Sequence, residues 1–493
     1  MTVEEKNLSS QFAEEDQKKL KSLKIAYPAS QFGGGIEKAY FGTYASYLYT
    51  NVYMMSAAFS GILTLIQTII GWIGGPLFGT ILDRISFKNA KYYPWLIIGP
   101  ILYYAGWIAI YCLPALGVGG AGAGIVALII ASFNACVSPL ATIPSSAVYP
   151  LLSTDPKDRQ YFARMQKIAR DGGKTLFGYI FPALLIAFTA AFGGEGTGEP
   201  MSYALCALIA GVPAILFFIY YALTLKGSYV ERKAVAANRT ATGQKKKNIP
   251  LSLVLKTVFT NRALLSMFLF MGIHKSYYFL YVTSATYMFR YVWGDFSKMG
   301  IFMTVFNLTA IIGVMFGPLW KKIFKETKRC FVSCMLVHVI LLAILAVFFK
   351  SLSAVSFTII FGASSFFMGM LENYIMPMFA AASDYGAWKS GNRLDGITMS
   401  IYSLTIKTGT LVATTIRTAI LVSANLDAVT AGGAVTAEFT SKLSLLFSWI
   451  PLGLGIVALL VLMFLFNLND DRIKKINDDL SAGLTAATSS NKF

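Results

Sequence analysis

The sequence predicts an all-α membrane protein of twelve transmembrane helices arranged as two six-helix halves. Three observations lead there. The 493 residues are 56% hydrophobic and only 13% charged, with a mean hydropathy of +0.60, whereas a soluble chain carries roughly a quarter charged residues. The apolar residues fall in blocks long enough to cross a bilayer as helices. Lys and Arg gather in every second connection between those blocks, the asymmetry that orients membrane helices.

The apolar blocks lie near 36–57, 60–82, 92–114, 119–151, 165–192, 201–225, 260–291, 299–320, 329–349, 355–381, 397–423 and 441–468. Backbone groups in lipid must be satisfied within their own element, so these blocks are helices. Bases mark the connections after spans 2 (Arg84, Lys88, Lys91), 6 (Lys226, Arg232, Lys233, Arg239, Lys245–Lys247) and 8 (Lys321, Lys322, Lys325, Lys328, Arg329). The segments 193–200 and 424–440 carry acids and no bases. Both termini are therefore expected in the cytosol of a multi-pass protein of the cell membrane. The organisation that follows is a cytosolic N-terminal tail (1–35), a first half (36–225), a basic cytosolic linker (226–259), a second half (260–468) and a cytosolic C-terminal tail (469–493). Met1 to Lys24 is polar and charged, unlike a signal peptide.

A repeat supports the division. Gly75-Pro76-Leu77-Phe78 closes span 2 and runs into Asp83-Arg84, and Gly317-Pro318-Leu319-Trp320 closes span 8 and runs into Lys321-Lys322. Matching positions in two parallel halves are the mark of a major facilitator fold.

Other classes find no footing. The net charge of +18 is spread through connections and not gathered in a patch, so no nucleic-acid partner is expected. Cys112, Cys136, Cys206, Cys330 and Cys334 complete no metal set with His and read as small core residues. No phosphate-cradling loop or nucleophile elbow is present. No catalytic residues, metal or cofactor are expected, and the chain is not read as an enzyme.

Ionisable and polar residues inside apolar spans are costly there and are the default functional candidates. Span 11 places Ser400, Ser403, Lys407, Thr410, Thr414 and Arg417 at spacings of three and four, on one helical face. Such a face lines a polar cavity, or bonds back to its own helix. Span 5 carries Lys167, Arg170, Asp171 and Lys174; Lys167 is close enough to the cytosolic end to snorkel, and Lys174 lies deeper. Span 7 contributes His274, Lys275, Tyr277, Tyr278 and Tyr281, and span 1 contributes Tyr40, Tyr44, Tyr47 and Asn51. Tyrosines on an inward face offer a sugar a flat apolar platform and a hydroxyl; turned elsewhere they are packing or an interfacial belt. Glu372 in span 10 is the carboxylate placed well inside the second half. It neutralises Lys407 or Lys275, or carries a proton.

Three blocks resemble the glycoside–pentoside–hexuronide:cation symporters, a sugar-transport family of the major facilitator superfamily. They are Gly75–Arg84 with Tyr92-Tyr93-Pro94-Trp95 and Gly99; Ile143-Pro144 with Tyr149-Pro150 and Asp155 to Arg159; and Asp384-Tyr385-Gly386-Ala387-Trp388-Lys389 with Gly391, Arg393 and Gly396, followed by Lys407. The resemblance implies a cytosolic gate formed by Asp83 and Arg84 with Asp384 and Arg393. It makes Lys407 the family's helix 11 lysine near the cation and sugar site, and sets Lys167 near a helix 5 arginine that contacts sugar. The chain also departs from the family. Gly35, Gly71, Gly75 and Thr142 stand where carboxylates hold sodium and sugar, and Ser146 stands where an aromatic ring stacks on the sugar. Glycine supplies no oxygen ligand from a side chain, and a hard cation needs oxygen ligands. The expectation is a transporter that does not use the family's sodium site.

The reading is a secondary transporter of a glycoside or related sugar, an acidic one such as a glucuronide included. Thr142, Ser146, Lys167, Lys174, His274, Tyr278, Lys407, Thr410, Tyr44 and Tyr47 are its substrate-binding candidates, and Glu372, His274 and Lys407 its candidates for proton coupling. Its partners are a small-molecule substrate and membrane lipid. The alternatives are a lysolipid or other amphiphile carrier of the same fold, and a membrane sugar sensor that does not transport.

Overall fold

The computed structural model describes residues 3–84, 87, 90–117, 120–152, 156–194, 199–232, 235, 260–390, 395–486 and 488. They fold as helices with no strand among them; the one β-bridge, Phe87 to Ala90, is isolated. The chain divides into two compact units, Met1–Lys246 and Lys247–Phe493.

Unit 1 contains α1 (Val3–Tyr47), α2 (Ala57–Arg84), α3 (Tyr93–Cys112), α4 (Gly120–Val148), α5 (Pro156–Ala191) and α6 (Pro200–Leu225). Unit 2 contains α7 (Arg262–Tyr287), α8 (Lys298–Phe324), α9 (Thr327–Phe348), α10 (Ala354–Ser390) and α11 (Asp395–Ser423). The short α12 (Leu426–Thr430) leads to a last span broken into α13 (Ala437–Ser444) and α14 (Trp449–Leu460), and α15 (Asp470–Ser481) follows. Nine described helices are long and apolar enough to cross a membrane, and Ala57–Trp72 is a shorter apolar one. The predicted spans at 36–57 and 397–423 are helical too, but carry more polar residues.

The boundaries differ most at the start. α1 runs unbroken from Val3, so the expected tail-to-span boundary at residue 35 falls inside one helix. Leu23, Ala26 and Tyr27 are already buried; apolar residues one turn apart continue the packed face beyond the hydropathy block. The linker residues 236–259 lie outside the described residues.

Local devices recur at matching places in the two units. α1 ends in a π-turn, Leu48–Val52, and α7 ends in another, Met288–Val292. Just after α6, the buried Glu231 accepts hydrogen bonds from the backbone N–H groups of Lys91 and of Tyr92 (2.7 Å), where the chain enters α3. Just after the last span, Asp470 accepts from the N–H and hydroxyl of Thr327, at 3.1 and 3.0 Å, at the start of α9. Each carboxylate satisfies donors at a helix N-terminus and complements its dipole. Burial pushes the Glu231 carboxyl up, and the amide bonds from Lys91 and Tyr92 pull against that rise.

Close helix contacts depend on glycine. A Cβ on Gly35 would lie 2.2 Å from the Arg170 carbonyl oxygen, and one on Gly173 would lie 2.6 Å from that of Phe32, so α1 and α5 touch backbone to backbone. Small residues allow such approaches in membrane helices. In unit 2 the aromatic side chains of Tyr281, Phe302, Phe357, Phe361 and Phe447 pack edge and face around one another.

Candidate functional site

Unit 2 brings His274 and Lys275 of α7 together with Glu372 of α10. Asn261 caps α7 by accepting from Leu264 N (3.0 Å) and donates to the Ala382 carbonyl (2.7 Å), which ties the start of α7 to the far part of α10. Further along, Lys275 Nζ lies 2.6 Å from Glu372 Oε1. The lysine side chain is 14% exposed and the carboxylate 29%, so the pair is largely withdrawn from water and each charge depends on the other. The ammonium also stands 5.4 Å above the Tyr278 ring, within cation–π range.

His274, fully packed inside the unit, extends this pair. Its Nδ1 shares a 2.5 Å hydrogen bond with the Tyr277 hydroxyl, and its Nε2 lies 3.8 Å from Glu372 Oε1. The Tyr277 ring stacks on His338, whose Nδ1 meets the carbonyl and hydroxyl of Ser364 at 3.0 and 2.9 Å. Both histidines of the sequence thus belong to one buried polar region. Carboxylate, imidazole and ammonium within a few ångströms form a group able to take up and release a proton while its charge stays compensated.

α11 packs against α7 at this level. A Cβ on Gly409 would sit 2.5 Å from Lys275 Cβ, so the glycine lets α11 close onto the lysine. Lys407 and Thr410, on either side of Gly409, are half-buried. Thr410 bonds back to the Ile406 carbonyl at 3.1 Å, as the helix-bonding alternative anticipates. Exposure changes along the hydroxyl stripe: Ser403 is exposed, Lys407 and Thr410 are intermediate, and Thr414 and Arg417 are each 3% exposed.

Unit 1 is built differently. Arg170 donates to Gln31 Oε1 (2.5 Å), and Gln31 donates to Ser145 Oγ (3.3 Å), joining α5, α1 and α4 in one polar chain. Lys167 is exposed and Lys174 half-buried on α5. Thr142 and Ser146 are exposed on α4 and bond back to Ser138 and Thr142 carbonyls. Tyr44 and Tyr47 are 1% and 2% exposed. The Tyr44 ring packs on Tyr40, which in turn meets Tyr111 and Phe181, so these tyrosines present no surface to a solute in this conformation. Glu37 was not among the candidates: it is buried, and accepts a 3.0 Å hydrogen bond from the Tyr103 hydroxyl of α3. A carboxylate at the start of an expected span was a signal in the sequence, but its place beside the expected tail made it resemble an interfacial charge. Gln31 fell in the expected tail and gave no signal.

Of the gate candidates, Asp384 is half-buried near the end of α10. Asp83 and Arg84 are in α2, but their side chains, like Arg393, lie outside what is described. Gly35, expected as a vacated carboxylate position, is filled from outside by the α5 backbone.

A family model described as MFS/sugar transport protein matches residues 26–470. The chain belongs to this family, the glycoside–pentoside–hexuronide type of major facilitator sugar transporter. It is 25% identical over 448 residues to the isoprimeverose transporter of Lactiplantibacillus pentosus, covering 90% of this chain and 88% of that one. It is 23% identical over 471 residues to the lactose permease of Lactobacillus delbrueckii subsp. bulgaricus, covering 91% and 70%. Among solved structures, the inward-open xylose transporter of E. coli superposes with a TM-score of 0.62 at 12% identity, covering 93% of this chain and 99% of the other. A D-xylose-proton symporter superposes at 0.61 and 15%, covering 90% and 98%. These likenesses show the major facilitator fold, and the protein is a multi-pass membrane protein.

Proposed function

We propose that this protein is a secondary transporter that carries a glycoside or related sugar across the cell membrane by alternating access, with both termini in the cytosol, and couples that movement to protons. The carrying observation is the Lys275–Glu372 pair at 2.6 Å with His274 beside it, in a chain whose relatives include sugar transporters. A lysine–carboxylate pair inside a membrane unit is costly, which makes it a functional candidate by default. In this reading Glu372 and His274 exchange the proton, and Lys275 compensates the carboxylate between proton transfers. Tyr278, whose ring lies beneath the Lys275 ammonium, and Lys407 and Thr410, on either side of Gly409 in α11, are the groups that in this reading offer the sugar a ring face and hydrogen-bonding groups. Thr142, Ser146, Lys167 and Lys174 are the corresponding polar positions of the first unit. Asp83, Arg84, Asp384 and Arg393 are assigned to the cytosolic gate.

Sodium does not take the family's site in this reading. Helix α5 occupies the space beside Gly35, so that position has neither a carboxylate nor room for one. The test is uptake of labelled disaccharides and glycosides into proteoliposomes, with sodium and pH gradients imposed separately at fixed membrane potential. An inward proton gradient should drive accumulation without sodium. Accumulation that follows sodium and ignores the pH gradient rejects the coupling scheme, and failure of every sugar to move rejects the function.

A further inference from the structure

Arg417 stands apart from every other cation in the membrane-spanning helices described above. It is 3% exposed, and among the described residues its Nε has no hydrogen-bond partner. No ion pair joins it to a described carboxylate. Lys275 has Glu372, and Arg170 has Gln31. A guanidinium taken out of water without an anion is costly, and it cannot shed its charge as a lysine can.

Its position gives that cost a use. Arg417 terminates the α11 stripe, whose exposure falls from Ser403 through Lys407 and Thr410 to Thr414. Arg417 lies about two helical turns beyond Thr410 on that face, where the stripe is most deeply buried. We propose that Arg417 is the docking point for an anionic group carried by the transported sugar, a carboxylate such as that of a uronide, and that it sets the preference for acidic over neutral glycosides. This rests on the sugar-transport reading and adds to it a residue and a charge. The fork of guanidinium donors suits a carboxylate's two oxygens. Its enclosure makes the interaction strong once water is excluded.

The test is calorimetric binding to the purified full-length protein in detergent, with methyl β-D-glucuronide, methyl β-D-glucoside and sodium acetate as separate probes at one ionic strength. Wild type should bind the glucuronide about 30-fold or more tighter than the glucoside, the scale of a buried charge pair. In Arg417→Gln that preference should shrink to about threefold or less, with glucoside affinity kept, and Arg417→Lys should fall between. The melting temperature of Arg417→Gln should equal or exceed that of wild type, since an uncompensated buried charge is gone. An undiminished acid preference in Arg417→Gln overturns the proposal. So does loss of glucoside binding together with a lowered melting temperature, which marks a structural arginine. Acetate binding as tightly as the glucuronide also overturns it, since the sugar then contributes nothing. If neither glycoside binds wild type, the sugar-transport reading falls with it; absence of acid preference alone leaves that reading standing.

Discussion

The two units use one packing device and arm it differently. In unit 1 both helices of the crossing supply a glycine: Gly35 on the first lies against the backbone of Arg170 and Lys174, and Gly173 on the fifth lies against that of Phe32. In unit 2 the glycine is on the fifth helix: Gly409 lies against Lys275 and Gly272 on the first. Each crossing thus brings a glycine against a turn that bears a cation. The partners differ. Arg170 reaches a neutral amide, Gln31, whereas Lys275 reaches a carboxylate, Glu372. Within its described spans, unit 1 keeps a buried carboxylate, Glu37, on the side facing α3, bonded to Tyr103. A repeat can therefore conserve its helix crossings while concentrating compensated charge in one half. In the proposed function that contrast puts proton coupling in unit 2 and leaves unit 1 to hydrogen-bond polar groups.

The sharpest way to break the contrast is to remove one charge from the pair. Lys275→Met leaves Glu372 uncompensated and should cost about 3 kcal/mol of stability, read as a lowered melting temperature in detergent. The double variant Lys275→Met/Glu372→Gln should regain most of that stability without regaining proton-driven accumulation. Equal melting temperatures for the single and double variants would show that the pair is not an interacting unit.

A smaller effect tests unit 1. Gly35→Asp restores a carboxylate at the family's position, yet its side chain meets the α5 backbone. Overpacking of this kind costs about 1–3 kcal/mol. The variant should melt earlier and gain no sodium dependence in proteoliposome uptake. Sodium-stimulated uptake by Gly35→Asp would mean that the site was vacated and not filled.

The smallest effects lie at the acidic caps. Glu231→Ala should cost about 1 kcal/mol by orphaning two amides. Because burial raises the Glu231 carboxyl, the folded protein holds that proton more tightly than the unfolded chain. Stability should therefore fall as pH rises from the ordinary glutamate value, about 4.3, through the raised folded value, and then level off. Glu231→Gln keeps an acceptor without the charge. Melting curves from pH 4 to 8 should show it above wild type at neutral pH and converging with wild type in acid. Parallel curves would contradict the assignment.

The fold was legible because lipid imposes it: apolar length and alternating bases suffice to give helices and their order. The Gly-Pro repeat showed the two halves, and the resemblance blocks showed the family. Spacing identified the α11 face, and the structure adds that its burial deepens from Ser403 to Arg417, which depends on neighbours that periodicity does not see. Tyr40 and Tyr44 share a face as expected, but that face meets Tyr111 and Phe181; a ring's spacing does not say whether it lines a cavity or fills one. Glu372 was expected to neutralise Lys407 or Lys275, and the α7–α10 packing pairs it with Lys275. Gln31 was hidden because hydropathy ends a helix where polarity begins, whereas α1 continues.

The central claim is that Glu372 carries the coupling proton. Its most direct measurement is the lumenal pH of sodium-free proteoliposomes, read with an entrapped dye as a transported sugar is added outside. Wild type should acidify the lumen in step with sugar entry. Glu372→Gln should exchange labelled for unlabelled sugar across the membrane while moving no protons. Proton movement undiminished in Glu372→Gln, or sugar entry with no pH change in wild type, would contradict the account.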